Sequence, residues 1–345
     1  ISTIETDLGE YIIQLRGEAP YHIIAPAIHL SKSEVAATLH EKANIPYYDS
    51  IEDLVGAARV KLRKEFIDAD MGITGANYVV ADTGSLVLVT NEGNGRMCTS
   101  MPRIHVAIMG MEKIIPSIED LGIFLRLLIR SATGQRITSY VTTINGPRSQ
   151  QEIDGPDEFH LVIVDNGRSK MLGNHELREA LYCIRCAACL NACPVYRKVG
   201  GHSYGWVYSG PIGAIVSSVL TGLSDAKDLP HASSLCGACR EVCPVKINIP
   251  RMLLHLRKEL SGGGSNSNVS FIEKFAFKGW GLMVSSNVSM MFANRIGRIL
   301  QWPFVKNNRL SWLPFPLSGW LKYRSLKGLS SMPFRSRWSK YLRQP

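Results

Sequence analysis

Apolar residues in the first 175 positions fall into short runs separated by polar and glycine-rich stretches. The runs at Tyr11–Leu15, His22–Ala27, Tyr78–Ala81, Ser85–Thr90, Ile104–Met109, Thr138–Thr143 and Phe159–Asp165 have the length and β-branched content of strands. Between them, helices are predicted over 32–43, 51–67 and 118–133. Ser31-Lys32-Ser33-Glu34 is a capping-box pattern at the start of the first helix, and Ser117 with Asp120 marks the start of the third. Ile104–Met109 is nearly all apolar, as in a sheet covered on both faces. Alternation of strands and helices predicts an α/β layered domain over 1–175.

The pattern changes after residue 175. Strand pairs disappear and helices are predicted near 175–184, over 211–223, and from Pro250 through Leu260. Residues 176–260 therefore read as a helical domain. Ser261-Gly-Gly-Gly-Ser-Asn-Ser-Asn268 has the composition of a flexible linker. Beyond it, 269–345 mixes short amphipathic pieces with Pro303, Pro314, Pro316 and Pro333, which prevent one long helix.

Seven of the eight cysteines lie in the helical segment. Cys183-Ile-Arg-Cys186-Ala-Ala-Cys189-Leu-Asn-Ala-Cys193-Pro194 matches the bacterial ferredoxin run C-x2-C-x2-C-x3-C-P. Cys236-Gly-Ala-Cys239-Arg-Glu-Val-Cys243-Pro244 repeats its last three cysteines and the proline. Three closely spaced thiolates can wrap one corner of a cubane, and the fourth, ahead of proline, is carried to the other cluster. This cross-over assigns Cys183, Cys186, Cys189 and Cys243 to a first 4Fe-4S cluster, and Cys193, Cys236 and Cys239 to a second. The second set is one thiolate short, and Ser233 stands where its first cysteine would be. That cluster is either 3Fe-4S, or 4Fe-4S with serine, water or an outside ligand on its last iron. A disulfide framework belongs to small secreted domains, and zinc sites give no reason for the C-x3-C-P endings. Oxygen-sensitive thiolates point to a reducing compartment, most simply a bacterial cytoplasm. Cys98 stands alone and reads as a buried small apolar residue.

Charge is uneven. From Phe271 onward there are thirteen Lys/Arg against the single acid Glu273, together with five of the six tryptophans. Such a tail suits a partner subunit or an anionic membrane surface. Nucleic acid is not expected, because no recognisable binding module accompanies the charge. No run of about 18 apolar residues is present to span a bilayer. Arg185, Arg197, Lys198, Arg240 and Lys246 place positive charge near the cysteines, either raising cluster potentials or facing solvent or a partner. In the first domain, the glycine-rich stretch around Thr90-Asn-Glu-Gly-Asn-Gly-Arg96 offers Glu92, Asn94, Arg96 and, on the next strand, His105 as candidate ligand-binding residues. The plainer readings are a strand-ending turn and a core histidine. No G-x-G-x-x-G, H-E-x-x-H or Ser/His/Asp spacing is present, so dinucleotide binding and independent hydrolysis have no support.

Gly72-Ile-Thr-Gly75, Thr90–Arg96, Asn145-Gly-Pro-Arg148, Glu152-Ile-Asp-Gly-Pro156, Val164-Asp-Asn-Gly-Arg168 and both cysteine runs together resemble the lactate-utilisation protein B family. The resemblance covers nearly the whole chain. It implies a sugar-isomerase/CoA-transferase-like (LUD) fold followed by a helical dicluster ferredoxin domain, and an N-terminal part missing from this chain. It also implies an iron–sulfur subunit of a bacterial system oxidising L-lactate to pyruvate, working with companion subunits, rather than a catalyst alone. The competing readings are an iron–sulfur subunit for another 2-hydroxy acid or for glycerol 3-phosphate, and a transferase-like enzyme binding an organic acid or CoA ester.

Overall fold

A computed structural model describes residues 2–263, 271–314 and 318–342. Two compact units divide the chain, Ile1–Ser267 and Asn268–Pro345. The first opens with helices α1 (Leu8–Arg16), α2 (Lys32–Ala43) and α3 (Ile51–Asp68). There follow β1 (Met71–Thr74), β2 (Tyr78–Val80), β3 (Ser85–Thr90), α4 (Asn94–Ser100), β4 (Ile104–Gly110), β5 (Ile114–Ile115), α5 (Ile118–Thr133), β6 (Tyr140–Ile144), β7 (Glu158–Val164) and α6 (Arg168–Gly173).

Two of the predicted strands are not strands. Tyr11–Leu15 lies in α1, because Leu8, Tyr11, Ile12 and Leu15 recur at helical spacing and Asp7 caps the Gly9 N–H. Its β-branched pair had suggested a strand. His22–Ala27 is irregular, with the His22 Nδ1 accepting from the Ile24 and Ala25 N–H groups and so displacing ladder bonds. The capping box of α2 forms as expected: Ser31 Oγ accepts from Glu34 N, and the Glu34 carboxylate accepts from Ser31 N at 2.8 Å. Ser117 bonds the Asp120 carboxylate at 3.0 Å and no backbone N–H of α5.

The strands form two sheets. One is parallel, in the order β1-β4-β7, and the other is mixed, in the order β5-β2-β3-β6. Val79 and Leu86 of the mixed sheet pack on Ala107 and Met109 of the parallel sheet. The opposite face of the mixed sheet, with Tyr78, Val80 and Val87, packs on Leu121 and Leu128 of α5 and on Ile184 and Cys186. The first cysteine loop is thus part of the α/β core. The expected cover on both faces is not met for the parallel sheet among the described residues. Its outer face leaves Ile73, Ile108 and Val162 exposed, and registered pairing puts all three on one side.

The cysteine segment is helical, as expected, though the stretch 175–184 is not an α-helix. A tight 3-10 turn spans Arg178–Tyr182, and Glu179 reaches across to Asn248 N at 3.2 Å and Arg251 at 3.0 Å, which fixes that turn just ahead of Cys183. Then come α7 (Ala188–Ala192), α8 (Tyr196–Val199), α9 (Gly210–Leu220), α10 (Ala238–Glu241) and α11 (Ile249–Lys258). Their shared core contains Leu190, Ile215, Met252 and Leu253, with four of the cysteines among them. The loop after α1 is sewn to this segment over long sequence separations. Tyr196 Oη donates to Tyr21 O at 2.7 Å, His202 Nε2 bonds Ala19 O at 2.8 Å, and a Cβ on Gly201 would sit 1.6 Å from Tyr21 O.

Of the expected linker 261–268, residues 264–268 lie outside the described residues. The C-terminal unit contains α12 (Phe271–Val284), α13 (Asn287–Gln301) and an unanticipated antiparallel sheet of β8 (Val305–Lys306), β9 (Arg309–Leu310) and β10 (Leu326–Lys327). Phe271, Phe275, Phe277, Trp280 and Trp302 are exposed on it. Among the described residues no helix is long and apolar enough to cross a membrane.

Candidate iron–sulfur centre and the cavity beside it

Cys183, Cys186, Cys189 and Cys243 line one cavity, closed otherwise by apolar side chains including Ile23, Ile212, Val245, Ile247 and Ile249. Cys243 comes from the second cysteine run and still joins three thiols of the first. On the neighbouring side, Cys239 lies within the electrostatic reach of Cys193 and Cys236. All seven thiols are unpaired. One cavity thus gathers thiols from both runs, while Cys239 lies near Cys193 and Cys236 and also near Cys189.

The backbone is shaped for wrapping. Arg185 and Ala187 flank Cys186 with φ of 64° and 58°, and Leu235 and Gly237 flank Cys236 with φ of 56° and 87°. Three of these four residues have a side chain, so the left-handed turns are strained and repeat at equivalent places in both runs. They turn successive cysteines toward a common centre and free N–H groups to meet sulfur. Tyr196 N donates to Cys193 Sγ at 3.5 Å and Ile247 N to Cys243 Sγ at 3.4 Å. Burial, together with the charge of Cys183 and Cys243, pushes the Cys186 thiol up. Burial and the charge of Cys193 push Cys239 to about 11. Bare thiols crowded in this way would keep their protons, and iron is what makes thiolates favourable there. The donor set fits cubane clusters.

Ser233 is half-buried three residues ahead of Cys236, as Cys183 is ahead of Cys186. Its Oγ accepts from Leu235 N at 3.1 Å, and its carbonyl accepts from Arg257 at 2.9 Å. Cys236 is exposed, and its thiol is held below the usual range by the Ala238 N–H and Ser234.

A second and much larger cavity, about 960 Å³, lies beside the first. It sits at the carboxyl edge of the parallel sheet, where Thr74 ends β1 and Lys113 follows β4, and Ile184 and Arg185 form part of its wall. Of the candidate ligand-binding residues, Glu92 and Asn94 line this cavity, while Arg96 and His105 do not. Burial and Asp7 raise the Glu92 carboxyl above its ordinary value. Arg96 stacks on Tyr140 at 5.4 Å. The expected strand-ending turn at Gly93-Asn-Gly95 opens α4 instead. Cys98 is buried against the cavity wall, 3.3 Å from Thr6 Oγ1.

His105 is wholly buried, bonded through Nε2 to Thr74 Oγ1 at 2.8 Å and tilted against Phe159. Burial lowers its pKa to about 4. The unfolded chain therefore binds the proton first as pH falls, so His105's contribution to stability is complete above about pH 6.5 and is lost as pH drops toward 4. Urea unfolding at pH 7 and pH 5 should show the native chain losing about 2 kcal/mol more than a His105→Phe variant. Equal losses would mean the ring is charged or solvated in the fold.

Sequence reasoning missed the centre of charge between the two cavities. Glu112, nearly inaccessible, accepts from Arg168 Nε at 2.5 Å and from Arg185 Nη2 at 3.1 Å. Arg185 also lies over the Tyr208 ring at 4.4 Å. Burial pushes the Glu112 carboxyl up, yet its backbone N–H and the two arginines more than reverse this and leave it low. Burial and Arg185 push Lys113 down to about 8. The available signal was an acidic-basic pair, Glu112-Lys113, directly after an apolar strand.

Known families match both parts. The LUD domain matches residues 1–164 and a 4Fe-4S dicluster domain matches 179–247. Lactate utilization protein B of Shouchella clausii is 48% identical over 333 residues, covering 96% of this chain and 69% of the relative. That of Bacillus subtilis is 47% identical over 333 residues with the same coverage, and that of Oceanobacillus iheyensis is 45% identical over 336 residues, 97% of this chain and 70% of the relative. An α/β LUD domain followed by an iron–sulfur dicluster domain, at this identity over almost its entire length, places the chain in the lactate utilization protein B family.

Proposed function

We propose that this chain is the electron-transfer subunit of an L-lactate-oxidising system, receiving electrons from a companion subunit and delivering them singly to a further acceptor. The observation that carries the reading is the pair of thiol groups described above, each built across both cysteine runs. Cys183, Cys186, Cys189 and Cys243 hold one cluster. Cys193, Cys236 and Cys239 hold the second, with Ser233 at the position of the missing thiolate. When bound, the clusters supply one-electron carriers whose potential depends on nearby charge, hydrogen bonds and exposure.

The chain's own residues do the rest. Apolar walls exclude water from the first site, and the N–H groups of Tyr196 and Ile247 stabilise sulfur charge. Arg185, two residues from Cys183, favours added negative charge there. Cys236, exposed, is the point where the second group comes nearest to solvent and to a partner. The relatives' shared name supports lactate as the fuel and a system with further members.

The test is reduction of the anaerobically reconstituted chain. L-Lactate with the companion subunits should bleach the visible iron–sulfur absorbance. If dithionite bleaches it and the complete system with lactate does not, the relay reading is wrong.

A further inference from the structure

The 960 Å³ cavity has an unequal distribution of charge. Glu5, Asp7, Glu10 and Glu92 line it, and its two cationic lining residues are Lys113 and Arg185. Glu112 compensates Arg168 and Arg185 with one carboxylate, and Lys113 adds a further positive charge next to them. Glu112 occupies Arg185 Nη2, while Arg185 Nη1 is buried with no hydrogen-bond partner. That nitrogen faces no open space, so a ligand meets Arg185 at the atoms that line the cavity, where a carboxylate complements the guanidinium charge. Burial raises the Glu10 carboxyl to about 8 and the Glu92 carboxyl above its ordinary value, so these acids carry less negative charge than their number suggests.

Position and size agree with a ligand site. Open parallel sheets take their ligands beyond the carboxyl ends of the strands, and this cavity lies beyond β1 and β4. Its volume is within the usual range for small-molecule sites, about 300–1,000 Å³. Arg185 and Ile184 also border the cavity formed by Cys183, Cys186, Cys189 and Cys243. A ligand on Arg185 would therefore be separated from the cluster thiols by the wall those two residues make.

We propose that this cavity binds the carboxylate of a small 2-hydroxy or 2-oxo acid through Lys113 and Arg185, against the wall of the first thiol group. The choice of acid rests on the lactate-oxidation reading, while the carboxylate site rests on the charge and the cavity alone. An alternative role for the same cations, offsetting the charge of the cluster, requires no bound acid and is separated from this one by experiment.

The experiment uses the full, anaerobically reconstituted chain with pyruvate and L-lactate as probes and inorganic phosphate as competitor. Calorimetry should show saturable binding of at least one acid. Saturating acid should change the paramagnetic resonance of the reduced cluster in the native chain. Lys113→Met, with unchanged iron content, should bind the acid about tenfold or more weakly. If Lys113→Met fails to take up iron, the resonance change in the native chain decides the matter. Absence of saturable binding, undiminished affinity in Lys113→Met, or equal displacement by phosphate would each overturn the carboxylate site. None of these depends on the companion subunits. A failed relay with acid binding intact removes the function and keeps the site, and the reverse result removes only the site.

Discussion

In a Cys243→Ser variant, the cluster lost is the one built on Cys183, Cys186 and Cys189, although position 243 lies in the second cysteine run. After anaerobic reconstitution the chain should retain roughly half its iron, because one of two clusters remains. The reason is geometric: Cys243 closes the cavity on which the three thiols of the first run converge. Cys193→Ser should do the converse, removing the cluster shared with Cys236 and Cys239. Iron content and paramagnetic resonance of the two variants, compared with Cys186→Ser and Cys239→Ser, give the test. Cys243→Ser should match Cys186→Ser, and Cys193→Ser should match Cys239→Ser. The opposite matching would show that each run builds its own cluster. Serine is a suitable replacement here because it preserves volume and leaves the Ile247 N–H an oxygen to meet.

The second large effect is expected at Glu112. Glu112→Gln leaves Arg168 and Arg185 facing a neutral amide, with Lys113 beside them, in a place where the carboxylate side chain is 3% exposed and the arginines 8% and 14%. Breaking a buried pair from one side typically costs about 3–5 kcal/mol, since the remaining charges have lost their compensation. Urea unfolding of the reconstituted chain would measure it, and a loss below about 1 kcal/mol would mean that water or the cluster takes over the carboxylate's role. Gly110→Ala should act in the same direction, because a Cβ there would lie 2.1 Å from Glu112 Oε2.

How much of this was legible in the sequence depends on the range of the interactions. The 4Fe-4S dicluster segment was, because ligand spacing within a run is local and a proline follows Cys193 and Cys243. The helices α2, α3 and α5 and the strands β2 and β3 were also legible, from periodicity and capping. The first strand, Met71–Thr74, was not: its parallel partner begins at Ile104, and two of its four residues are exposed, so no local alternation shows. The same holds for the Glu112 centre, whose partners lie 56 and 73 residues away. Candidate site residues read from a glycine-rich stretch divided accordingly. Glu92 and Asn94 reach the cavity, whereas His105, on a strand with its neighbours hidden in sequence, turns into the core. In the tail the prolines correctly limited helix length, but three two-residue strands carry too little pattern to be seen in advance.

The stitch between residues 18–29 and the helical segment bears on how the protein is made. Tyr21 and Ala19 find their partners at Tyr196, Gly201 and His202, some 175 to 183 positions downstream. On a ribosome adding about 5–20 residues per second, that gap lasts on the order of ten seconds. During this interval Tyr21, His22 and His29 lack the Tyr196 and His202 rings they will pack against. The segment is emitted early and seated late, after the cysteine loops exist. Its ordering should therefore report on whether the downstream half has been completed and folded around its metal.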